Sequence, residues 1–168
     1  FLFQPGEEIP GGAKPMIDEG AMENPTVDAV IGLHCGGLLP GFKNGTIGIK
    51  SGALMASMDR FKITVNGAGG HGANPHTTID PIIIISEINL ALQKIVSRMI
   101  APTTAALVSI CQIHGGTTQN IIPDSVWVEG TARALDEDTR DLIEKSITNI
   151  STNIAKAYGA TADVVYER

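Results

Sequence analysis

The stretch Asp80-Pro81-Ile82-Ile83-Ile84-Ile85 decides the fold, because it can form either a strand or the start of a helix. A run of isoleucines favours a strand by propensity. An aspartate that can cap a helix, followed by proline at the first helical position, favours a helix. The apolar positions further along recur at helical spacing, at Ile88, Leu92, Ile95, Val96 and Met99. We therefore predict a helix that begins at Pro81.

Strands and a second helix are predicted around this first helix. Alternating or continuous apolar patterns predict strands at residues 60–66, 105–113, 125–135 and 162–166. The second helix begins after Asp136, carries its apolar residues on one face and ends near Gly159. The order β-α-β-β-α-β predicts a ferredoxin-like unit, an antiparallel sheet with both helices on one face.

The segment before residue 59 has a different pattern, in which apolar strands alternate with short helical stretches. Strands are predicted at Phe1–Gln4 and Val27–His34, a helix at Gly12–Glu19, and extended pieces between Gly45 and Met55. The whole chain is therefore predicted to be of the α/β (α+β) class. Because the sequence starts inside a predicted strand, we expect it to be an internal piece of a longer polypeptide.

Composition limits the classes of function. The 168 residues are 43% hydrophobic and 18% charged, as in folded globular proteins, and the net charge of −6 argues against nucleic-acid binding. The longest apolar stretch, Pro81–Ile85, is too short to cross a membrane. Two cysteines suit a reducing compartment, so a cytoplasmic location is predicted. Cys35 and Cys111 are predicted to be small core residues.

Two adjacent carboxylates, Glu7 and Glu8, follow the first predicted strand. Neighbouring strand residues point to opposite sides, so one carboxylate can bind a metal while the other transfers a proton. His34 ends the next apolar strand, where open α/β sheets bind ligands, and imidazole is a good ligand for zinc or manganese. The alternatives are a solvated turn for the glutamates and a rim position for His34.

A glycine-rich turn, Gly67–Gly72, contains His71. A phosphate-binding loop is a poor explanation, because no Lys-Ser/Thr pair follows and the turn does not lead straight into a helix. His71 is therefore either a catalytic residue or an ordinary loop histidine. His76 is a weaker candidate for the same work, and His114 is expected only to shape the turn at Gly115.

Taken in order, these blocks resemble the M20 metallopeptidase family, and most closely its amidohydrolases that cleave N-acyl amino acids. The resemblance covers nearly the whole chain. The matching blocks are Phe3–Glu8, Gly11–Ala13, Met16–Ile17, Gly32–His34, Gly69–His76, Ile79–Pro81, Gly115–Gly116, Asn120–Asp124 and Gly130–Arg133.

The resemblance implies a domain organisation and a role for each candidate residue. Residues 1–58 would be a partial strip of the catalytic domain and residues 59–168 a ferredoxin-like lid or dimerisation domain. Glu7 would be the general base on metal-bound water. The implied metal ligands are Glu8 and His34. The implied lid residues are His71, which stabilises the oxyanion in the partner subunit's site, and Asn120 and Arg133, which hold the substrate carboxylate.

The resemblance also implies two divalent ions per site, zinc or manganese. The family takes further ligands from a His-x-x-Gly-His-Asp type segment and from a later histidine, and neither occurs in this sequence. We therefore expect these 168 residues alone to retain no metal and to be inactive. Without the resemblance, Arg133 would be an exposed strand residue and Asn120 a turn residue.

The predicted function is that of a fragment of a metal-dependent amidohydrolase. The parent would hydrolyse the amide bond of a small N-acyl or N-aminoacyl amino acid and would form a homodimer through the lid domain. We expect the strand Arg60–Asn66, which has few charges, to be an edge strand that meets the partner, together with the isoleucine-rich helix. The alternative is a non-catalytic ferredoxin-like module that dimerises or binds a small ligand.

Overall fold

The computed structural model describes residues 1–8, 11–35, 41 and 43–168, which form two compact units, 1–49 and 50–168. The first unit contains one short helix among its described residues, α1 (Ala13–Asp18). The strands predicted at Phe1–Gln4 and Val27–His34 are wrong for this structure, and no strand is formed between Gly45 and Met55. A strand needs a hydrogen-bonded neighbour, and none pairs with these segments among the described residues. Their apolar side chains are exposed, Ile31 by 96% and Leu33 by 86%.

The second unit has the predicted β-α-β-β-α-β order with one small extra ladder. Its elements are β1 (Asp59–Asn66), β2 (Gly70–His71), α2 (Pro81–Lys94), β3 (Ala106–Gly115), β4 (Ile121–Ile122), β5 (Ser125–Ala134), α3 (Glu137–Ala157) and β6 (Thr161–Glu167). The main sheet has the order β3-β5-β1-β6 with every pair antiparallel, and β2 pairs with β4. The predicted ferredoxin-like arrangement is confirmed.

The predicted edge position of β1 is wrong. β1 lies between β5 and β6, so its backbone groups are paired on both sides and cannot meet another chain. The edges of the main sheet are β3 and β6. On the inward face of this interior strand, Phe61, Ile63 and Val65 point into the core.

The isoleucine run forms the first turns of α2. The Asp80 carboxylate accepts a hydrogen bond from the N–H of Ile82 at 2.9 Å, and Pro81 is the first helical residue. The capping bond and the proline thus override the strand propensity of isoleucine. Ile84 and Ile85 are buried, and the helix continues into a π-helical turn, Ile95–Met99.

The core lies between the two helices and one face of the main sheet. It is built from α2, α3 and the inward-facing residues of the strands, with Ile63, Ile88, Leu92 and Ile147 fully buried. The opposite face, here called the open face, carries the outward side chains of β1 and β5: Arg60, Lys62, Thr64, Trp127, Glu129, Thr131 and Arg133. Among the described residues, no helix combines the length and apolar content needed to cross a membrane.

Candidate functional site

Glu7 and Glu8 lie in a turn of the first unit and not at the end of a strand. The N–H groups of Gly11 and Gly12 close this turn by donating to the carbonyl oxygen of Gly6, at 2.9 and 3.1 Å. Both glutamates are exposed. The alternation argument for their different directions therefore does not apply, and their roles depend on the family resemblance.

His34 is also exposed in the first unit, and its Nδ1 lies 3.0 Å from the carbonyl oxygen of Cys35. A carbonyl only accepts, so Nδ1 carries the proton and the Nε2 lone pair of the neutral ring is available to a ligand. Within the described ranges, however, no three His, Cys, Asp or Glu side chains are grouped to hold a metal ion. A catalytic metal takes about three protein ligands, so Glu8 and His34 do not form a metal site by themselves.

The second unit brings His71 and Asn120 together. β2 and β4 pair so that His71 lies opposite Ile121, and the N–H of Gly72 donates to the carbonyl oxygen of Asn120 at 2.8 Å. The two candidate residues are therefore neighbours across a short ladder, although they are far apart in sequence.

The glycines of the turn allow this close approach. A β-carbon at Gly69 would lie 2.4 Å from the carbonyl oxygen of Ile122, and one at Gly72 would lie 3.2 Å from that of Asn120. The N–H of Gly69 also donates to the Asp124 carboxylate at 2.9 Å. This structural role of Asp124 was missed in the sequence, because it depends on a pairing between distant segments.

The protonation of His71 follows from one hydrogen bond. Its Nδ1 accepts from the backbone N–H of Ala73 at 3.1 Å. A nitrogen that accepts carries no proton, so the neutral ring carries its proton on Nε2. The side chain is exposed, and Nε2–H can therefore donate to an oxygen of a ligand.

Asn120 lies next to an open concavity of about 480 Å³, lined by Gly72, Ile82, Gly115–Gln119, Ile121 and Ile122. The hydroxyl of Thr118 lies 2.9 Å from Oε1 of Gln119 and 3.2 Å from Oδ1 of Asn120, so its one proton is shared between these two acceptors. The amide NH₂ of Asn120 is left to donate to a ligand. His76 lies in the nearby 3₁₀ turn Pro75–Thr77 and is exposed.

Arg133 lies at the other end of β5. Asn120 precedes the first residue of β5, Ser125, whereas Arg133 is next to its last residue. At about 3.3 Å per residue, Ser125 and Arg133 are separated by about 26 Å along the strand. One copy of the chain therefore does not bring Arg133 to a small ligand that is bound at Asn120.

Arg133 lines a second concavity, of about 660 Å³, on the open face. We call this concavity the open-face pocket. Its charged residues are Arg60, Lys62, Glu129, Arg133 and Glu167, and it is also lined by Met58, Phe61, Cys111, Gln112, Gly130, Thr131 and Val165.

The prediction that His114 only shapes a turn is wrong. His114 lies in β3 and stacks on Trp127, with the ring centroids 4.2 Å apart and the ring planes at 22°. Lys62 Nζ lies 3.9 Å from the Trp127 ring centroid and 3.0 Å from Oε1 of Glu129. This cross-strand ladder has no signature in the sequence, since it depends on the register of three strands.

The prediction that Cys35 and Cys111 are core residues is also wrong, because both are exposed. For Cys111 the reason is the alternation of β3, in which Leu107, Ser109 and Cys111 face away from the core, before a bulge between Ile110 and Gln112 shifts the register. Cys111 therefore lines the open-face pocket.

A buried ionic cluster that the sequence did not indicate joins Asp59, Arg140 and Tyr166. Burial alone would raise the pKa of Asp59, but hydrogen bonds from Arg140 and Tyr166 and the charge of Arg140 outweigh it, so this pKa lies below its ordinary value. The hydrogen bond to Asp59 raises the pKa of Arg140. Burial and the Asp59 carboxylate raise the pKa of the Tyr166 hydroxyl.

The ferredoxin-like fold, with the loops of His71 and Asn120 joined by the β2–β4 ladder, is the basis for comparing this domain with known proteins. Residues 57–159 match the family model of the M20 peptidase dimerisation domain. The chain belongs to the M20 peptidase family, as its relatives also indicate.

The relatives are hydrolases of N-acyl compounds or peptides. N-acetyl-L-cysteine deacetylase of Bacillus subtilis is 42% identical over 164 residues, which are 98% of this chain and 38% of the relative. Thermostable carboxypeptidase 2 of Saccharolobus solfataricus is 44% identical over 99% of this chain and 42% of its own length. N-acyl-L-amino acid amidohydrolase of Geobacillus stearothermophilus is 41% identical over 99% of this chain and 44% of its own length.

Solved structures agree with the fold. The Bacillus subtilis YXEP protein, a dinuclear metal-binding peptidase from the M20 family, is 35% identical with a TM-score of 0.74, over 99% of this chain and 40% of that one. A protein from methicillin-resistant Staphylococcus aureus is 37% identical with a TM-score of 0.87, over 98% of this chain and 41% of that one. The chain thus spans about two-fifths of the length of these relatives.

Proposed function

We propose that the full-length protein is an amidohydrolase that cleaves the amide bond of N-acyl amino acids. The names of the curated relatives support this reaction class. Within it, Glu7 is the general base for the attacking water, and His71 is the donor to the oxyanion that forms on the amide carbon. The observation that carries the proposal is the Ala73 N–H bond to His71 Nδ1, which leaves Nε2–H as a donor.

Asn120 and His71 act on the same substrate from one copy of the chain. Asn120 donates its side-chain amide NH₂ to the substrate, a group that makes no hydrogen bond within the described residues. Arg133 binds the substrate carboxylate from the other copy of a homodimer. The distance along β5 supports this division, since a small substrate cannot reach both residues of one chain.

A divalent metal is the proposed cofactor of the full-length protein. The description of the YXEP protein as dinuclear supports a metal, and zinc and manganese are the candidates. Glu8 and His34 are proposed as two of its ligands, and Nε2 of His34 is the atom available for this. Because two ligands do not make a site, no chemical step is assigned to the metal.

The exposed cysteines also favour a reducing location such as the cytoplasm.

The homodimer is proposed to form through β3 and α2. β3 is an edge strand, and α2 packs over β3 and β5 whereas α3 packs over β6. On this side Ile83 and Leu90 of α2 are 62% and 70% exposed, and Ile113 of β3 is exposed on the helix side of the sheet. An open strand edge beside apolar side chains is a surface that a second copy would cover.

Leu90→Glu tests the dimer surface, since it places a charge in the proposed interface. It should shift the full-length protein from dimer to monomer in sedimentation equilibrium. Lys156→Glu, an exposed change on α3, should leave the dimer intact. A dimer that is equally stable in both variants would exclude this surface.

A mixed dimer tests whether Glu7 of one copy and His71 of the other copy form one active site. Glu7→Gln and His71→Ala proteins should each be nearly inactive on an N-acetyl amino acid. After subunit exchange, about half of the dimers should be mixed, and each mixed dimer should contain one intact site. Restored turnover supports the proposal. If turnover is not restored although subunit exchange is verified, His71 acts within its own chain. If the wild-type protein itself has no hydrolase activity, the alternative of a non-catalytic module is favoured.

A further inference from the structure

The open-face pocket contains a second arginine beside Arg133. Arg60 of β1 lies directly opposite Thr131 of β5, so Arg60 and Arg133 are diagonal neighbours on the same face of the sheet. Diagonal neighbours of this kind have β-carbons about 7 Å apart. Their side chains both line the pocket and both are exposed.

The charges of this pocket are unevenly balanced. Lys62 is neutralised by Glu129 at 3.0 Å and is also held over the ring of Trp127. Across residues 1–8, 11–35, 41 and 43–168, neither Arg60 nor Arg133 forms an ion pair. Glu167 is the remaining carboxylate of the pocket; it stands opposite Arg60 on β6 but is not bonded to it.

Two guanidinium groups at this spacing suit two carboxylates that are joined by a short carbon chain. Each group can offer a pair of parallel N–H donors to a carboxylate. The proposed function uses Arg133 for one carboxylate of the substrate. Arg60 is then placed for a second carboxylate on the same molecule.

We propose that Arg60 is a specificity residue that selects N-acyl amino acids with an acidic side chain. This inference rests on the proposed function, in which Arg133 holds the α-carboxylate. Arg60 binds the side-chain carboxylate, and Glu167 limits the strength of that interaction through repulsion. Arg60 takes no part in the bond cleavage.

The test uses a pair of substrates of the same shape, N-acetyl-L-glutamate and N-acetyl-L-glutamine, which differ by one charge. For the full-length protein, kcat/KM should favour the glutamate compound. Arg60→Gln should lower this preference about tenfold, as expected for loss of a charge-assisted hydrogen bond at an exposed site. Cleavage of the glutamine compound should stay unchanged.

Three further variants sharpen the result. Arg60→Lys keeps the charge and should retain most of the preference. Glu167→Gln removes the repulsion and should increase it. Arg98→Gln makes the same change of charge in the π-helical turn, away from the open face, and should have no effect. Added salt should reduce the preference of the wild type, because the pocket is open to solvent.

The two failures can be told apart. If the wild type cleaves both compounds but Arg60→Gln leaves their ratio unchanged, the role of Arg60 is wrong and the proposed function stands. If the wild type cleaves other N-acetyl amino acids but neither of these two, the role of Arg60 is wrong; if it cleaves no N-acetyl amino acid, the proposed function is wrong. Calorimetric binding of the two compounds to the full-length protein then still decides the inference, since equal affinities would overturn it.

Discussion

Asp59 and Arg140 form an ion pair at the start of β1, where Nη2 of Arg140 lies 2.6 Å from Oδ1 of Asp59. Nε of Arg140 lies 3.0 and 3.1 Å from the two carboxylate oxygens, and the Tyr166 hydroxyl donates to Oδ2 at 2.8 Å. Asp59 is 1% exposed. This one carboxylate therefore connects β1, α3 and β6. Because water does not reach it, Arg140 and Tyr166 supply its hydrogen bonds.

Removal of Arg140 should strongly destabilise the chain. Arg140→Leu leaves the buried Asp59 carboxylate without its cation, and the loss of one partner of a buried pair costs about 3–5 kcal/mol. We expect the free energy of unfolding in urea to fall by about 3 kcal/mol, the lower end of that range, because Arg140 is itself partly exposed. Glu129→Gln breaks the more exposed pair with Lys62 and should cost less than about 1 kcal/mol. Equal losses in the two variants would contradict the special role of the buried pair.

The same carboxylate predicts a loss of stability in acid. The pKa of Asp59 is lower in the folded state than in the unfolded chain, so the folded state favours the ionised form. Its contribution is complete above the unfolded pKa of about 3.9 and disappears as the pH falls through the lower, folded pKa. Asp59→Asn should be less stable at neutral pH but should lose less stability than the wild type between about pH 5 and pH 2. Parallel pH profiles for the two proteins would exclude Asp59 as a source of this dependence.

The second unit was predictable from sequence because its signals are local. Asp80 and Pro81 mark the start of α2, and alternation in 60–66 marks β1, so the element order could be derived without the structure. The place of β1 in the sheet could not be derived, because the alternating pattern of Arg60–Asn66 fits an edge strand and an interior strand equally well. The sheet order alone separates these explanations.

The candidate site was predictable as a set of residues but not as an arrangement. The glycines around His71 indicate a close backbone approach, yet only the β2–β4 ladder shows that Asn120 is the neighbour. That Asn120 and Arg133 are far apart becomes clear only once β5 is known to run as one continuous strand between them. The bulge beside Cys111 and the stacking of His114 on Trp127 depend on strand register, which no local pattern encodes.

We expect the 168-residue chain and the full-length protein to differ in how firmly they retain a metal ion. The 168-residue chain should lose added zinc during chelation and dialysis, because no group of three suitable ligands occurs among its described residues. In the full-length protein Glu8→Ala should lower the metal content measured by atomic absorption, whereas Glu7→Gln should keep the metal and lose turnover. Stoichiometric zinc that stays bound to the 168-residue chain would reveal a site other than the proposed one.

Arg133 should act on substrates through their free carboxylate. In the full-length protein, Arg133→Ala removes donors that interact with a charged acceptor, an interaction of about 1.5–3 kcal/mol. We expect kcat/KM for an N-acetyl amino acid to fall by about 10- to 150-fold, mainly through a higher KM. The matching N-acetyl amino acid amide has no carboxylate, so its slower cleavage should be nearly unaffected. Arg98→Ala provides the control for a general loss of positive charge. If acid and amide lost the same factor in Arg133→Ala, the residue would support the structure of the open face and would not bind the substrate.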